Sequence, residues 1–140
     1  MRLMALDVGN RRIGVALSDP SETVARGLKV IRRTSRTADI ELIKALVEGH
    51  EVERIVVGHP LHLDGRAGEQ ARRAEEFAAD LECELGLTVV LWDEAFSTER
   101  ARQAMIEAGR KRKERRARLD AVAAAAILQD YLDSLRAEQA

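Results

Sequence analysis

Two apolar runs open the chain, Leu3–Val8 and Ile13–Ser18, with the polar turn Gly9-Asn10-Arg11-Arg12 between them. Alternating strand character around such a turn predicts a β-hairpin. Asp19-Pro20-Ser21 marks a second turn, and Ala25–Ile31 predicts a third strand, interrupted by Gly27 and Lys29. Thr37 or Asp39 is then placed to cap a helix running to about Glu48, with Ile40, Ile43, Leu46 and Val47 on its apolar side and Gly49 as its stop. Arg54–Gly58 is a β-branched run of the buried-strand type. A loop from His59 to Gly65 leads into a long helix with the stripe Ala74, Phe77, Ala78, Leu81 and Leu85 and an acidic outer face, ended by Gly86. Thr88–Trp92 predicts a further buried strand that finishes at Asp93-Glu94. Ser97 or Thr98 caps a short helix through Ala108, closed by Gly109. The basic run Arg110–Arg118 reads as a mobile loop, and a last helix spans about Leu119 to Leu135.

After the opening three-stranded meander, strands alternate with helices, and such βα units imply parallel strands joined by right-handed crossovers. Parallel strands need both faces covered, which the helices can do. The expected architecture is α/β, a mixed five-stranded sheet flanked by helices. A chain of 140 residues without repeats, low-complexity segments or linkers suits one domain over residues 1–140.

Composition narrows the function. Aromatics make up 3% of the chain, too few for a base-stacking platform. The one cysteine, Cys83, excludes an internal disulfide and a CxxC metal clamp and fits a reducing compartment. No apolar run reaches the roughly 20 residues of a membrane span, and no signal-peptide h-region opens the sequence, so a cytoplasmic protein without a membrane partner is expected. The net charge of −1 conceals segregation. Residues 1–36 carry eight basic and three acidic groups, and residues 110–118 carry seven basic and one acidic. These segments form one basic patch if the fold joins them; otherwise they are ordinary solvated faces.

Asp7 shares a strand face with Leu3 and Ala5, an expensive place for a carboxylate without a partner. Two further acids are candidates to meet it. Glu94 follows the last strand, and since successive side chains alternate, at most one of Asp93 and Glu94 can join Asp7. Asp120 starts the stripe Asp120, Ala124, Ile127, Leu128, Tyr131, Leu135 on the last helix, with Gln129, Asp130, Asp133 and Arg136 on the side expected to face water. Asp120 either caps that helix or points with its apolar face toward the sheet. Three carboxylates gathered at one sheet edge suit Mg2+ or Mn2+. Two such ions can hold the attacking water and the leaving oxygen of a phosphodiester, while nearby basic segments hold the remaining phosphates. Acidic centre and basic rim together are what a metal-dependent nuclease needs.

Other chemistries fit less well. His59 and His62 lack HExxH spacing or a neighbouring cysteine, so zinc is disfavoured against loop packing or a substrate hydrogen bond. Ser97 and Thr98 are explained by capping, and Cys83 lies between Glu82 and Glu84, which disfavours its thiolate. Trp92 reads as a core or sheet-edge residue, and no glycine-rich phosphate cradle follows a strand.

The segments ALDVGNRRIGVALSD (5–19), IVVGHPLHLDG (55–65), WDEAFSTERA (92–101) and LDAVAAAAILQDYL (119–132) together resemble the YqgF/RuvX family of Holliday-junction resolvases, also described as pre-16S ribosomal RNA nucleases. The resemblance spans nearly the whole chain and implies a ribonuclease-H-like fold. It implies that Asp7, Glu94 and Asp120 form a catalytic, metal-binding triad. Nucleic-acid contacts would then come from Arg11, Arg12, Asp64, Arg100 and the run Arg110, Lys111, Arg112, Lys113, Arg115, Arg116 and Arg118. The implied substrate is branched DNA or a ribosomal RNA precursor, and symmetric cutting of a four-way junction implies a homodimer. The chain departs from the family pattern at Ala95, where Arg is usual, with Arg100 as the candidate replacement, and at His62, where Asn is usual. Two alternatives stand beside this reading. A nucleic-acid-binding module that keeps the fold without cutting is one. The other, an actin-like phosphate motif, lacks the second domain and the later glycine-rich loop that such proteins need.

Overall fold

The computed structural model describes residues 2–59, 68–93 and 112–139, with the side chains of 112–120 and 139 outside that set. Five strands, β1 (Arg2–Val8), β2 (Arg12–Ser18), β3 (Ala25–Arg32), β4 (Val52–His59) and β5 (Thr88–Asp93), form one sheet in the order β3-β2-β1-β4-β5. β1 pairs antiparallel with β2 and parallel with β4, β2 pairs antiparallel with β3, and β4 pairs parallel with β5. The expected mixed sheet, a meander followed by parallel βα units, is the one observed. Helices α1 (Arg36–Gly49), α2 (Glu69–Leu85) and α3 (Arg112–Gln139) cover it. Among the described residues no helix is long and apolar enough to cross a membrane.

Period-two alternation divides the core into two layers. Met4, Leu6 and Val8 of β1 face α1 and α2, packing with Ile43, Val47, Phe77 and Leu81. Leu3 and Ala5 face α3, packing with Ala124, Ile127, Leu128 and Leu132. Small residues on this second face, among them Ala5 and Ala16, let α3 lie close to the strands. Gly27 makes the tightest approach: a Cβ there would stand 3.3 Å from the Ala121 carbonyl oxygen. The break expected around Gly27 and Lys29 is a register shift, with Val15 opposite Lys29 and Ala16 opposite Gly27. β3 remains continuous across it.

Several elements differ from the sequence expectation. Ser35, not Thr37 or Asp39, caps α1, its side chain accepting from the Ala38 amide at 3.1 Å. β5 is an edge strand with Leu91 38% exposed, rather than a buried one, because no strand among the described residues pairs with its outer side. Arg112–Arg118 is not a loop but the first turns of α3. Arg, Lys, Glu and Ala are good helix formers, and no Gly or Pro follows Gly109 to break the run. Asp120 therefore lies about two turns inside α3 and cannot be its cap. Nor do all the polar residues of α3 face water. Gln129 accepts from the Ala25 amide at 2.9 Å and donates to the Thr23 carbonyl at 3.0 Å, and Asp130 accepts from the Trp92 indole at 3.1 Å. With the edge-to-face pair of Trp92 and Tyr131 at 5.2 Å and the Arg54–Tyr131 hydroxyl bond at 3.0 Å, these contacts anchor α3 to strands on both sides of β1.

Asp39 instead organises the end of the sheet at which the first turn sits. Its carboxylate is 1% exposed, bonds Arg33 Nε at 3.1 Å and accepts from the Thr34 amide at 3.2 Å. Arg33 also donates to the Gly9 carbonyl at 3.0 Å and lies over the Phe77 ring at 5.3 Å. The Arg33 amide donates to the Arg11 carbonyl at 2.8 Å, and the Gly9 amide to the Arg12 carbonyl at 2.9 Å. A Cβ on Gly9 would stand 2.9 Å from that same Arg12 oxygen, so only glycine allows this closure. One buried ion pair thus braces the turn next to Asp7.

Two outcomes follow. Asp39→Ala strands Arg33 and should lower unfolding free energy by about 3 kcal/mol, read from urea denaturation. Gly27→Val drives a side chain into the Ala121 backbone and should cost about 1–3 kcal/mol in the same assay; an unchanged midpoint would mean α3 can shift freely over β3.

Candidate active site

Asp7 is the penultimate residue of β1 and is half-buried, on the same face as Leu3 and Ala5. That face is the one α3 covers. Opposite Asp7 in β2 stands Gly14, which puts no side chain beside the carboxylate. In β4, Leu6 pairs with Val57, so Gly58 is the next residue along beside Asp7. A carboxylate in a strand interior is thus given room by the two strands that flank it.

Alternation also decides between the neighbouring acids of β5. Val89 packs in the α1–α2 layer, whereas Val90 and Trp92 pack in the α3 layer. Asp93, one residue past Trp92, therefore belongs to the α1–α2 side, in register with His59. His59 has the same parity and meets Glu75 of α2, Nε2 to Oε1 at 3.1 Å. Asp93 is thus not the acid that shares a face with Asp7. Glu94 itself lies outside the described residues, as do Asp64, Arg100, Arg110, Lys111, His62 and Ala95.

Asp120 is described by its backbone alone. It stands three and four residues before Ala123 and Ala124, both buried on the sheet side of α3. Its position continues that face, in line with the apolar stripe. Arg112, Lys113, Arg115, Arg116 and Arg118 precede it on the same helix, again with only their backbone described. Arg11 is exposed at the tip of the β1–β2 turn, and Arg12 is half-buried at the start of β2. Among the described residues no group of three or more His, Cys, Asp or Glu could hold a metal ion.

The support of this region is not visible in the sequence. Arg33 reads there as one more cation of a basic segment, and Asp39 as a helix cap. Their mutual pairing depends on β3 leading directly into α1, with Asp39 turned back into the sheet layer. Arg73 is equally hidden. It reaches from α2 to the Asn10 side chain in the turn and pairs with Glu69 at 2.8 Å. The one sequence signal for it is helical spacing, which places Arg73 one turn after Glu69.

Known proteins resemble this chain in sequence and in fold. The family model described as RuvX, Holliday junction resolvase, matches residues 1–134. A protein of Moorella thermoacetica is 47% identical over 135 residues, covering 96% of each chain, and one of Desulfitobacterium hafniense is 44% identical over 136 residues, covering 97% of this chain and 94% of its own. Both are named "Putative pre-16S rRNA nuclease". Among solved structures, Thermus thermophilus RuvC in complex with a Holliday junction substrate superposes with a TM-score of 0.60 at 16% identity, covering 97% of this chain and 96% of that one. The Fowlpox virus resolvase in complex with its Holliday junction DNA gives 0.58 at 11% identity, covering 96% and 99%. At such identities the likeness is one of fold, the ribonuclease-H-like fold. By the match along its length and by its curated relatives, this chain belongs to the RuvX family of Holliday junction resolvases.

Proposed function

We propose that this protein is a divalent-metal-dependent nuclease that hydrolyses phosphodiester bonds of nucleic acid, built as one domain over residues 1–140. The observation that carries the reading is Asp7, a carboxylate set in a central strand on the face covered by α3, between Gly14 and Gly58. The placement supports three oxygen donors, Asp7, Glu94 and Asp120, as ligands of Mg2+ or Mn2+. Two points favour that set: Asp93 is excluded by parity, and the backbone position of Asp120 continues the buried face of α3. Carboxylate oxygens match hard divalent cations. When bound, a pair of such ions activates water and stabilises the leaving oxygen in an in-line displacement.

The protein's own groups would then divide the work. The three acids hold the ions. Arg11 and Arg12 on the braced turn, together with Asp64, Arg100 and the basic residues of the run 110–118 that precedes Asp120, orient the substrate. Guanidinium groups supply charge-assisted hydrogen bonds to phosphate oxygens. Placing cations on the first turns of α3 ties their position to that of Asp120.

The substrate class is nucleic acid, and two kinds suit the same chemistry. The curated relatives are named for pre-16S rRNA and the family description for Holliday junctions. Cutting a four-way junction symmetrically calls for two copies of the site, hence a homodimer. Cytoplasmic action on either substrate accords with a single, exposed cysteine.

Asp7→Asn should abolish cleavage with Mg2+ or Mn2+ while leaving nucleic-acid binding largely intact. Cleavage of four-way DNA, single-stranded DNA and single-stranded RNA side by side, with each metal, identifies the substrate. Wild-type protein that binds but cuts none of them would instead be a binding module that has kept the fold. Replacing Arg112, Arg115 and Arg116 with Ala should weaken binding and reduce its salt slope by about one unit for each phosphate no longer held. An unchanged slope would exclude these residues from binding the nucleic-acid backbone.

A further inference from the structure

We infer that the cleft between the β1–β2 turn, the start of α1 and α2 is a second phosphate-binding subsite, gripping the nucleic-acid backbone away from the cleaved bond. This rests on the nuclease reading and extends it to residues outside the proposed active site. The cleft has a volume of about 530 Å3 and is lined by Asn10, Arg33, Arg36, Arg73, Glu76 and Phe77, with Asp39 at its base. Three guanidinium groups, from the β3–α1 connection, α1 and α2, meet there, each already paired with one or more of the carboxylates Asp39, Glu69, Glu76 and Asp80. The N-terminus of the 14-residue α1, capped by Ser35 at the cleft, adds partial positive charge.

The three cations are not equivalent. Arg33 is held rigidly by Asp39, by the Gly9 carbonyl and by the Phe77 ring. Those hydrogen bonds use two of its five N–H donors. It is a preorganised donor, 20% exposed and unable to swing away. Arg36 and Arg73 are more exposed and are held only by side chains. Arg36 pairs with Asp80 at 2.8 Å and Glu76 at 3.6 Å, and Arg73 with Glu69 at 2.8 Å, all among side chains 38–83% exposed. The exposed Arg73–Glu69 pair contributes little, so a phosphate can take over Arg73 at small cost in a bidentate guanidinium–phosphate bond. Arg36 keeps its ion pair with the buried Asp80 oxygen and offers its remaining N–H donors.

Position ties the cleft to the active site. Asn10 lies three residues beyond Asp7, and Arg73 bonds its side chain. Asp7 belongs to the α3 side of the sheet, whereas the cleft opens on the α1–α2 side of the same end. A strand cut at Asp7 reaches the cleft by passing around the turn that carries Arg11 and Arg12. Branched or extended substrates span this path, and short ones do not.

The test uses the full chain with fluorescein-labelled oligonucleotides, binding followed by anisotropy in EDTA so that no cleavage occurs. The double variant Arg36→Ala/Arg73→Ala should bind a long single strand or a four-way junction about tenfold more weakly, with a salt slope lower by about two. An oligonucleotide too short to round the turn should bind wild type and variant alike. Arg36→Lys/Arg73→Lys, which keeps the charge but not the bidentate fork, should restore the salt slope but only part of the affinity, and Arg26→Ala/Arg136→Ala, which removes equal charge away from the cleft, should change little. Equal affinity and slope for wild type and the alanine variant, both folded by circular dichroism, would overturn the subsite, as would wild type that binds no nucleic acid. Weaker binding by the variant alongside wild type that never cuts would uphold the subsite and overturn the nuclease reading.

Discussion

β1 carries the constraint on which the rest of the structure depends. It pairs with β2 on one side and β4 on the other, and helices cover both of its faces. Each of its side chains is therefore committed to one layer by parity alone. A register slip of one residue would move Asp7 from the α3 layer into the packed α1–α2 layer, among Leu6 and Val8. The identity of the layer that receives the carboxylate is what makes a site there possible. The same parity, carried through β4 and β5, sends His59 and Asp93 to the other side.

α3 must lie close to β1 for that layer to form, and its approach is set by small residues. Ala5, Ala16 and Gly27 on the strands meet Ala121 and Ala124 on the helix. Contacts from Gln129, Asp130 and Tyr131 then lock the helix to the β3 and β5 sides. Because the basic residues 112–118 belong to the same helix as Asp120, whatever positions one positions the other. The buried Asp39–Arg33 pair does the corresponding job for the turn after Asp7. Arg33 therefore serves two ends, closing the turn through Gly9 and presenting spare donors to the cleft beyond it.

Much of this is legible in the residues themselves. Alternation in Leu3–Val8 and Ile13–Ser18 and helical spacing in Ala74–Leu85 and Ala124–Leu135 report burial directly, since each side chain's environment follows from its own period. Asp7 stands out for the same reason, as a charge on an apolar face. The elements that read differently in the sequence share another cause. Asp39 sits at a plausible cap position, and only the path of β3 into α1 shows that Arg33 reaches it. Thr88–Trp92 is apolar enough for a central strand, yet whether a strand is central or at an edge depends on what pairs beside it. Residues 112–118 of the basic run have a loop's charge density but a helix's propensity, and continuity with the packed turns of α3 favours the helix.

The sequence by itself determined the order of strands and helices, the face of β1 on which Asp7 lies, and membership of the RuvX family. These are local properties, written in periods of two and 3.6 residues and in motifs a few residues long. Tertiary structure alone decided which layer that face belongs to, which of the two acids at the end of β5 is turned away from it, and which arginines converge beside the turn. Those outcomes depend on contacts between residues 24 to 106 positions apart, such as Arg33 with Gly9 and Gln129 with Thr23. No period in the chain encodes them, because they arise only when separate elements are packed against one sheet.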